Sequence, residues 1–157
     1  QIDEIIMLFS SVFNIIAPFL VDIGERCFER LKCLRFVYAP KLKVIQQQAF
    51  LSCSALQKVV GDEISEVDSE AFCQCKSLNS INLENVKSFG YQSFECTDIK
   101  SVRNRKCVLV EDNVFSSCSQ LQYLEFEQAE VFDTCCIDNC FEVTCLRLPN
   151  VKFLQNP

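Results

Sequence analysis

Apolar positions recur along this chain with a period close to 22 residues. Phe28, Phe50, Phe72, Phe94 and Phe115 are separated by 22, 22, 22 and 21 residues. With each phenylalanine as position zero, further columns fall into register. Three residues on stand Cys53, Cys75, Cys118 and, after Ile137 in the phenylalanine column, Cys140. Six on come Leu34, Leu56, Leu78, Leu121 and Val143; nine on, Val37, Val59, Ile81, Leu124 and Leu146. Later columns hold Ala39, Gly61, Leu83, Phe126 and Leu148, then Leu42, Ile64, Val86, Ala129 and Val151, then Ile45, Val67, Phe89, Phe132 and Leu154. The unit beginning at Phe94 is one residue short. A deletion ahead of its leucine column puts Cys96, Ile99, Val102, Asn104, Cys107 and Val110 in the same places, with Asn104 the one polar misfit. Self-similarity of this length is the mark of a repeat architecture.

Within each unit the period changes. Leu78, Ile81 and Leu83 end in strand-type alternation, where side chains two apart share a face. The stretch before them, "DSEAFCQC" at 68–75, opens with the cap-forming Asp68 and Ser69 and sets Ala71, Phe72 and Cys75 at helical spacing. The pattern predicts a short helix or 3-10 turn followed by a short strand. One such unit cannot bury its apolar face, whereas stacked units bury a continuous core.

The apolar stretch at 5–21 admits two readings. As a signal peptide or membrane span it has Asp3 and Glu4 where positive charge belongs, and Ser10, Ser11, Asn14 and Pro18 interrupt it. As a repeat it does better, because Ile6, Phe9, Val12, Ile15, Ala17, Leu20 and Ile23 occupy the seven columns in order. The expectation is a seventh, divergent repeat and no membrane span.

The pattern "IxxxAFxxCxxLxxIxL", carried most clearly by residues 45–56 and 67–78 and again by 113–121, resembles the BspA-type leucine-rich repeat, a family of bacterial surface and protist proteins. The resemblance implies an α/β solenoid of about seven 22-residue coils. Short strands would line its concave face, and short helices or 3-10 turns its convex side. It also implies a non-enzymatic scaffold that binds proteins, since a fold alone fixes no activity. At 157 residues, 1–157 reads as a single leucine-rich repeat domain. Gln1 in place of a starting Met, and a last repeat ending at Pro157 without a polar cap, suggest a fragment of a longer repeat protein.

Charge and composition narrow the chemistry. The net charge is -6 and no block of like charge occurs, so the basic footprint of a nucleic-acid or anionic-membrane binder is missing. There is no His, which removes the usual general base and the commonest metal ligand. Gly-rich phosphate loops and nucleophile elbows are absent from the sequence. No cofactor is expected.

The 12 cysteines support the one alternative, a cysteine-based metal-binding or redox protein. Cys53, Cys75, Cys96, Cys118 and Cys140 are read as a buried column of reduced thiols, a small hydrophobe with a weak donor. Cys73 is read as an outward passenger, and Cys27 and Cys136 as occupants of the small-residue place filled elsewhere by Ala49 and Ala71. Cys135, Cys136, Cys140 and Cys145 could supply four thiolates, but without paired C-x₂-C knuckles. A reduced ladder points to the cytoplasm and the family's surface members to the cell exterior; both compartments stay open here, as does the oligomeric state.

The strand residues that flank the inward columns face outward on the concave side. The candidate partner-binding residues there are Phe36, Tyr38, Lys58, Asn82, Arg103, Arg105, Tyr123, Glu125 and Arg147. Aromatic and arginine side chains are what protein interfaces favour. The expected partner is a protein, with Tyr38 as apolar anchor and the Arg103, Arg105, Glu125, Glu127 step setting register.

Overall fold

A computed structural model describes residues 11–155; Ile6 and Phe9 of the expected first repeat lie outside them. Fourteen short strands alternate between two faces. On the first face are β1 (Asn14–Ile16), β3 (Phe36–Tyr38), β5 (Lys58–Val60), β7 (Ser80–Ile81), β9 (Ser101–Asn104), β11 (Tyr123–Phe126) and β13 (Cys145–Arg147). On the second are β2 (Asp22–Ile23), β4 (Val44–Ile45), β6 (Glu66–Val67), β8 (Ser88–Phe89), β10 (Leu109–Val110), β12 (Val131–Asp133) and β14 (Phe153–Gln155). Every pairing is parallel and joins residues 22 apart, such as Val37 with Val59 and Leu124 with Val102. The chain is thus a solenoid of about six coils of roughly 22 residues, mostly strand and turn. The pair β1 and β2 stacks ahead of them in the same register.

The turn side, expected to be convex and helical, corrects one expectation. The helical spacing of Ala71, Phe72 and Cys75 does not produce a helix. Among the described residues the one helix is a 3-10 turn at Thr134–Ile137, capped by the Asp133 carboxylate on the Cys135 amide. Elsewhere this side is a run of overlapping β-turns, as in Ala49 N to Gln46 O, Leu51 N to Gln48 O and Cys53 N to Phe50 O. Residues two before and two after each phenylalanine column position are left-handed: Gln48 and Ser52 (φ 56 and 60), Glu70 and Gln74 (φ 55 and 61). This is the third-position conformation of a type II turn. It costs a non-Gly residue about 1–2 kcal/mol. The reversal turns each of these four amides onto the next coil, where Gln48 N meets Ser69 O and Ser52 N meets Cys73 O.

The core is the set of columns. Phe28, Phe50, Phe72, Phe94 and Phe115 stack with successive ring centroids 5.4, 5.1, 5.2 and 5.5 Å apart. Phe89, Phe126 and Phe132 fill the wider C-terminal part with tilted and edge contacts. The leucine and valine columns lie beneath, buried from Leu34 to Leu124 except for the partly covered Ile81.

The short unit breaks both sheets. Strands β1-β3-β5-β7 and β9-β11-β13 form separate sheets, as do β2-β4-β6-β8 and β10-β12-β14. At this step the polar misfit Asn104 becomes intelligible. It is fully buried, and its amide nitrogen donates to Leu83 O and Val86 O, both at 2.8 Å. Its oxygen accepts from the amides of Lys106 and Cys107. One side chain thereby ties the short coil to its predecessor where strand pairing is missing. Gly90 marks another close approach, since a β-carbon there would lie 2.3 Å from Ser69 N.

Two substitutions test this packing with opposite signs. Phe72→Ala removes a ring stacked between two others and is expected to cost about 3–5 kcal/mol. An unchanged urea midpoint would show that the stack is not what holds the coils together. Ser93 occupies the small-residue column, fully buried, and its hydroxyl has no partner among the described residues. Ser93→Ala should therefore stabilise by about 1 kcal/mol, read as an upward shift of the same midpoint.

Candidate functional site

The outward residues of the first strand face form two rows. One reads Asn14, Phe36, Lys58 and Ser80 across β1 to β7, and Ser101, Tyr123 and Cys145 across β9 to β13. The other reads Ile16, Tyr38 and Val60, then Arg103, Glu125 and Arg147. Strand alternation puts these side chains outside because the columns between them are buried.

The C-terminal half of this face is an ion network. Glu125, with 13% of its side chain exposed, lies between Arg103 at 3.6 Å and Arg147 at 3.5 Å. Tyr123 donates its hydroxyl to the same carboxylate at 2.8 Å, and the Arg103 guanidinium sits 5.5 Å over the Tyr123 ring. A hydrogen bond with Tyr123 and the Glu125 charge hold the Arg147 guanidinium above its ordinary range. Beyond the end of β9, Arg105 lies between Glu84 at 3.7 Å and Glu127 at 3.3 Å. Five of the expected residues, Arg103, Arg105, Tyr123, Glu125 and Arg147, are thus brought together. Glu84 was not foreseen. Its signal was available, because Glu84, Arg105 and Glu127 occupy one column with alternating sign once the deletion is allowed.

The N-terminal half has a different character. Ile16 and Tyr38 are 64% and 38% exposed, with Phe36 and Val60 partly covered beside them. Arg35 stacks over Phe13 and Lys41 over Phe19, at 5.4 and 5.6 Å from the ring centres. Neither pair was expected, though Phe13 and Arg35 share a column 22 residues apart. Lys58 is exposed beside Phe36 and Ser80 in its row. Asn82 falls past the end of β7, where its side chain accepts from Glu84 N.

The thiols form a ladder with one amended rung. Cys53 donates to Phe28 O, Cys75 to Phe50 O, Cys118 to Phe94 O and Cys140 to Phe115 O, at 2.9 to 3.1 Å. The ladder position expected of Cys96 is taken by Thr97, but its hydroxyl donates within its own coil to Phe94 O at 2.9 Å and lies 3.2 Å from the Cys118 sulfur. The missing residue of this coil therefore falls after the ladder rather than before it. Cys96 takes a left-handed turn position instead. Cys73, expected outside, is 6% exposed with its thiol 3.4 Å from the Glu95 carboxylate, and Cys27, expected inside, is exposed.

Of the proposed four-thiolate group, Cys136 is fully buried in the core and Cys140 serves the ladder. No group of three or more Cys, Asp or Glu able to hold a metal ion occurs among the described residues. Burial pushes the Cys53 thiol up to about 12 and Cys107 to about 11. Burial, then the hydrogen bond and charge of Glu95, push Cys73 to about 12. Such groups are poor nucleophiles, because the thiolate is the reactive form. No helix of the described residues is long and apolar enough to cross a membrane.

A parallel solenoid with a phenylalanine stack, a thiol ladder and a strand face of outward aromatics and ion pairs defines a leucine-rich repeat scaffold. The family profile described as "BspA type Leucine rich repeat region" matches residues 9–60 and 59–156 in six copies, and the chain belongs to that family. Among solved structures, the crystal structure of a leucine-rich repeat protein from Bacteroides ovatus superposes with a TM-score of 0.70 at 18% identity, covering 90% of this chain and 47% of that one. The T. pallidum leucine-rich repeat protein superposes with a TM-score of 0.72, also at 18% identity, covering 92% of this chain and 74% of the other. This chain thus spans about half the length of the Bacteroides ovatus protein. At this identity the likeness is one of fold. No curated protein matches the chain.

The buried thiols give a pH test. The unfolded chain releases these protons near the ordinary value of 9.0, while the folded chain keeps them to about 11 or 12. Their contribution to stability is therefore complete below pH 9 and falls as pH rises from 9 toward 12. The urea midpoint should hold from pH 7 to 8.5 and drop steeply by pH 10.5. A flat profile to pH 11 would mean that the thiols titrate in the folded state.

Proposed function

We propose that this chain is a non-enzymatic protein-binding scaffold of seven coils that receives its partner on the first strand face, the concave side of a leucine-rich repeat. The observation that carries the reading is the division of that face. An exposed apolar and aromatic half around Ile16, Phe36 and Tyr38 adjoins a half whose charges are already matched to one another. Exposed contiguous apolar surface beside a polar rim is the usual anatomy of a recognition site.

The two halves have different roles in this reading. Tyr38, with Phe36 and Lys58 beside it, supplies the anchor, because a desolvated aromatic contributes most of the affinity at such interfaces. Arg103, Arg105, Tyr123, Glu125 and Arg147 set the register. Exposed ion pairs contribute only about 0–1 kcal/mol each, but a partner of the wrong charge meets them at a cost. Asn82, at the seam between the halves, extends the polar rim. The family membership supports the scaffold role, and burial, which raises the Cys53, Cys73 and Cys107 thiols, argues against a redox role for those three.

A partner captured with the intact chain gives the test. Tyr38→Ala should weaken its binding by about 2 kcal/mol or more with the fold unchanged. Arg103→Glu should act mainly on association rate and its salt dependence. Gln47→Lys, on the exposed convex side, should leave binding as it was. The reverse pattern, with both face variants binding like the parent and Gln47→Lys abolishing binding, would refute the concave-face assignment.

A further inference from the structure

The second strand face changes character along its length. Its outward row reads Glu66 and Ser88 on β6 and β8, then Leu109, Val131 and Phe153 on β10, β12 and β14, the last three in paired register. Leu109 is 46% exposed and Phe153 62% exposed. The exposure of Leu109 does not follow from the repeat, whose inward columns bury their apolar side chains through Phe132, whereas in the last coil the inward Leu154 is exposed as well. Two residues along each strand, Glu111 and Asp133 follow this row, with Asp112 beside Glu111 at the corner. A groove of about 530 Å³ is lined by Leu109, Val131 and these three carboxylates, with Gln155 closing the end.

Among the described residues these carboxylates make no ion pair, although Asp133 accepts from the Cys135 amide and Asp112 from the Asn113 side chain. Seven of the arginine and lysine side chains make ion pairs elsewhere, and none of those pairs involves Glu111, Asp112 or Asp133. Asp112 and Asp133 also lie close enough to act, with Asp138 and burial, on the Cys135 thiol, which is raised. Exposed apolar area and unmatched negative charge thus share one groove.

We propose that this groove is a second docking surface, distinct from the concave face, for a cationic polypeptide segment with apolar anchors. The geometry points to an extended segment. Same-side residues of a strand lie about 6.6–7 Å apart, which is also the step from the Leu109 row to the Glu111 row. An extended segment with an apolar residue at one position and Lys or Arg two residues on would set both on the same side. The apolar residue would cover Leu109 and Val131, and the cation would meet Glu111 and Asp133. The inference does not depend on the concave-face reading.

The test uses the intact chain and a fluorescent peptide repeating Leu-Ser-Lys-Ser, with a Leu-Ser-Glu-Ser peptide as counterpart. The lysine peptide should bind, and Glu111→Lys and Leu109→Lys should each weaken it at least tenfold. Glu63→Lys, a charge reversal far from the groove, and Tyr38→Ala should leave it within twofold. Glu111 is exposed, so Glu111→Lys decides the matter if Leu109→Lys lowers the melting temperature. Failure of the lysine peptide to bind would overturn the proposal. So would equal binding of the glutamate peptide, or a loss with Glu63→Lys as large as with Glu111→Lys, which would reduce the effect to net charge.

Discussion

The constraint on which this structure depends is the pairing of each coil's backbone with the next. In a parallel stack the amides and carbonyls of both strand faces point along the axis, and only a neighbouring coil can satisfy them inside the fold. Pairing holds the coils a fixed distance apart, about 4.8 Å. That spacing forces side chains in one column to stack on one another, and Phe50 and Phe72 lie nearly parallel for this reason. The convex side obeys the same rule by another route. Nine of its eleven left-handed residues, from Arg26 to Ser117, send the amide to the adjoining coil. The strain of the conformation is the condition of the pairing, and each such bond offsets a comparable cost.

The thiol ladder follows from the same geometry. The carbonyl of Phe50 already accepts the Cys53 amide within its own turn, and its second lone pair faces the next coil. A small donor fits there, and Cys75 supplies it at 3.1 Å. A sulfhydryl is weak as a donor but apolar enough to lie against the phenylalanine stack. In the short coil Thr97 stands at this place but turns its hydroxyl to Phe94 O of its own turn, beside the Cys118 thiol that reaches the same carbonyl from the next coil. The abundance of cysteine is thus accounted for by packing at four of these rungs.

Most of this was legible in the sequence because column identity is what stacking enforces. The period, the inward columns, the first-face strands and their outward rows could be read from residues 22 apart, whereas the second strand of each coil, Val44–Ile45 and its equivalents, was not foreseen. What could not be read was anything encoded by backbone conformation instead of side-chain type. The convex turns place Ala71, Phe72 and Cys75 at a spacing that a helix would share, and the left-handed residues at Gln48, Glu70 and Arg26 carry no glycine to announce them. The deletion near Phe94 was visible, but its place was not, because Cys96 and Thr97 are both plausible small residues for the ladder. Among the face residues, the cluster around Glu125 was legible from charge alternation between coils. The cation–aromatic pairs of Arg35 and Lys41 were not, because both involve aromatics of the first, divergent unit.

The interior of this solenoid is nearly the same in every coil, so it cannot distinguish one partner from another. Specificity has to reside where neighbouring coils differ, and those differences concentrate at the short unit. Before it, the first face carries Ile16, Phe36, Tyr38 and Val60 among the polar Asn14, Lys58 and Ser80, and the outward row of the second face is mainly polar. After it, the first face carries matched ions and the second carries Leu109, Val131 and Phe153. The seam with the broken sheets is also where Asn104 sends two side-chain hydrogen bonds to the preceding coil and accepts two from its own. A buried asparagine satisfied at every position fixes one arrangement of the two halves, since any other leaves those groups unpaired in the core. The two contrasting surfaces are therefore held in one relative register by this side chain together with the Asp98 N to Leu78 O and Arg105 N to Glu84 O bonds, and that register is what a partner touching both would read.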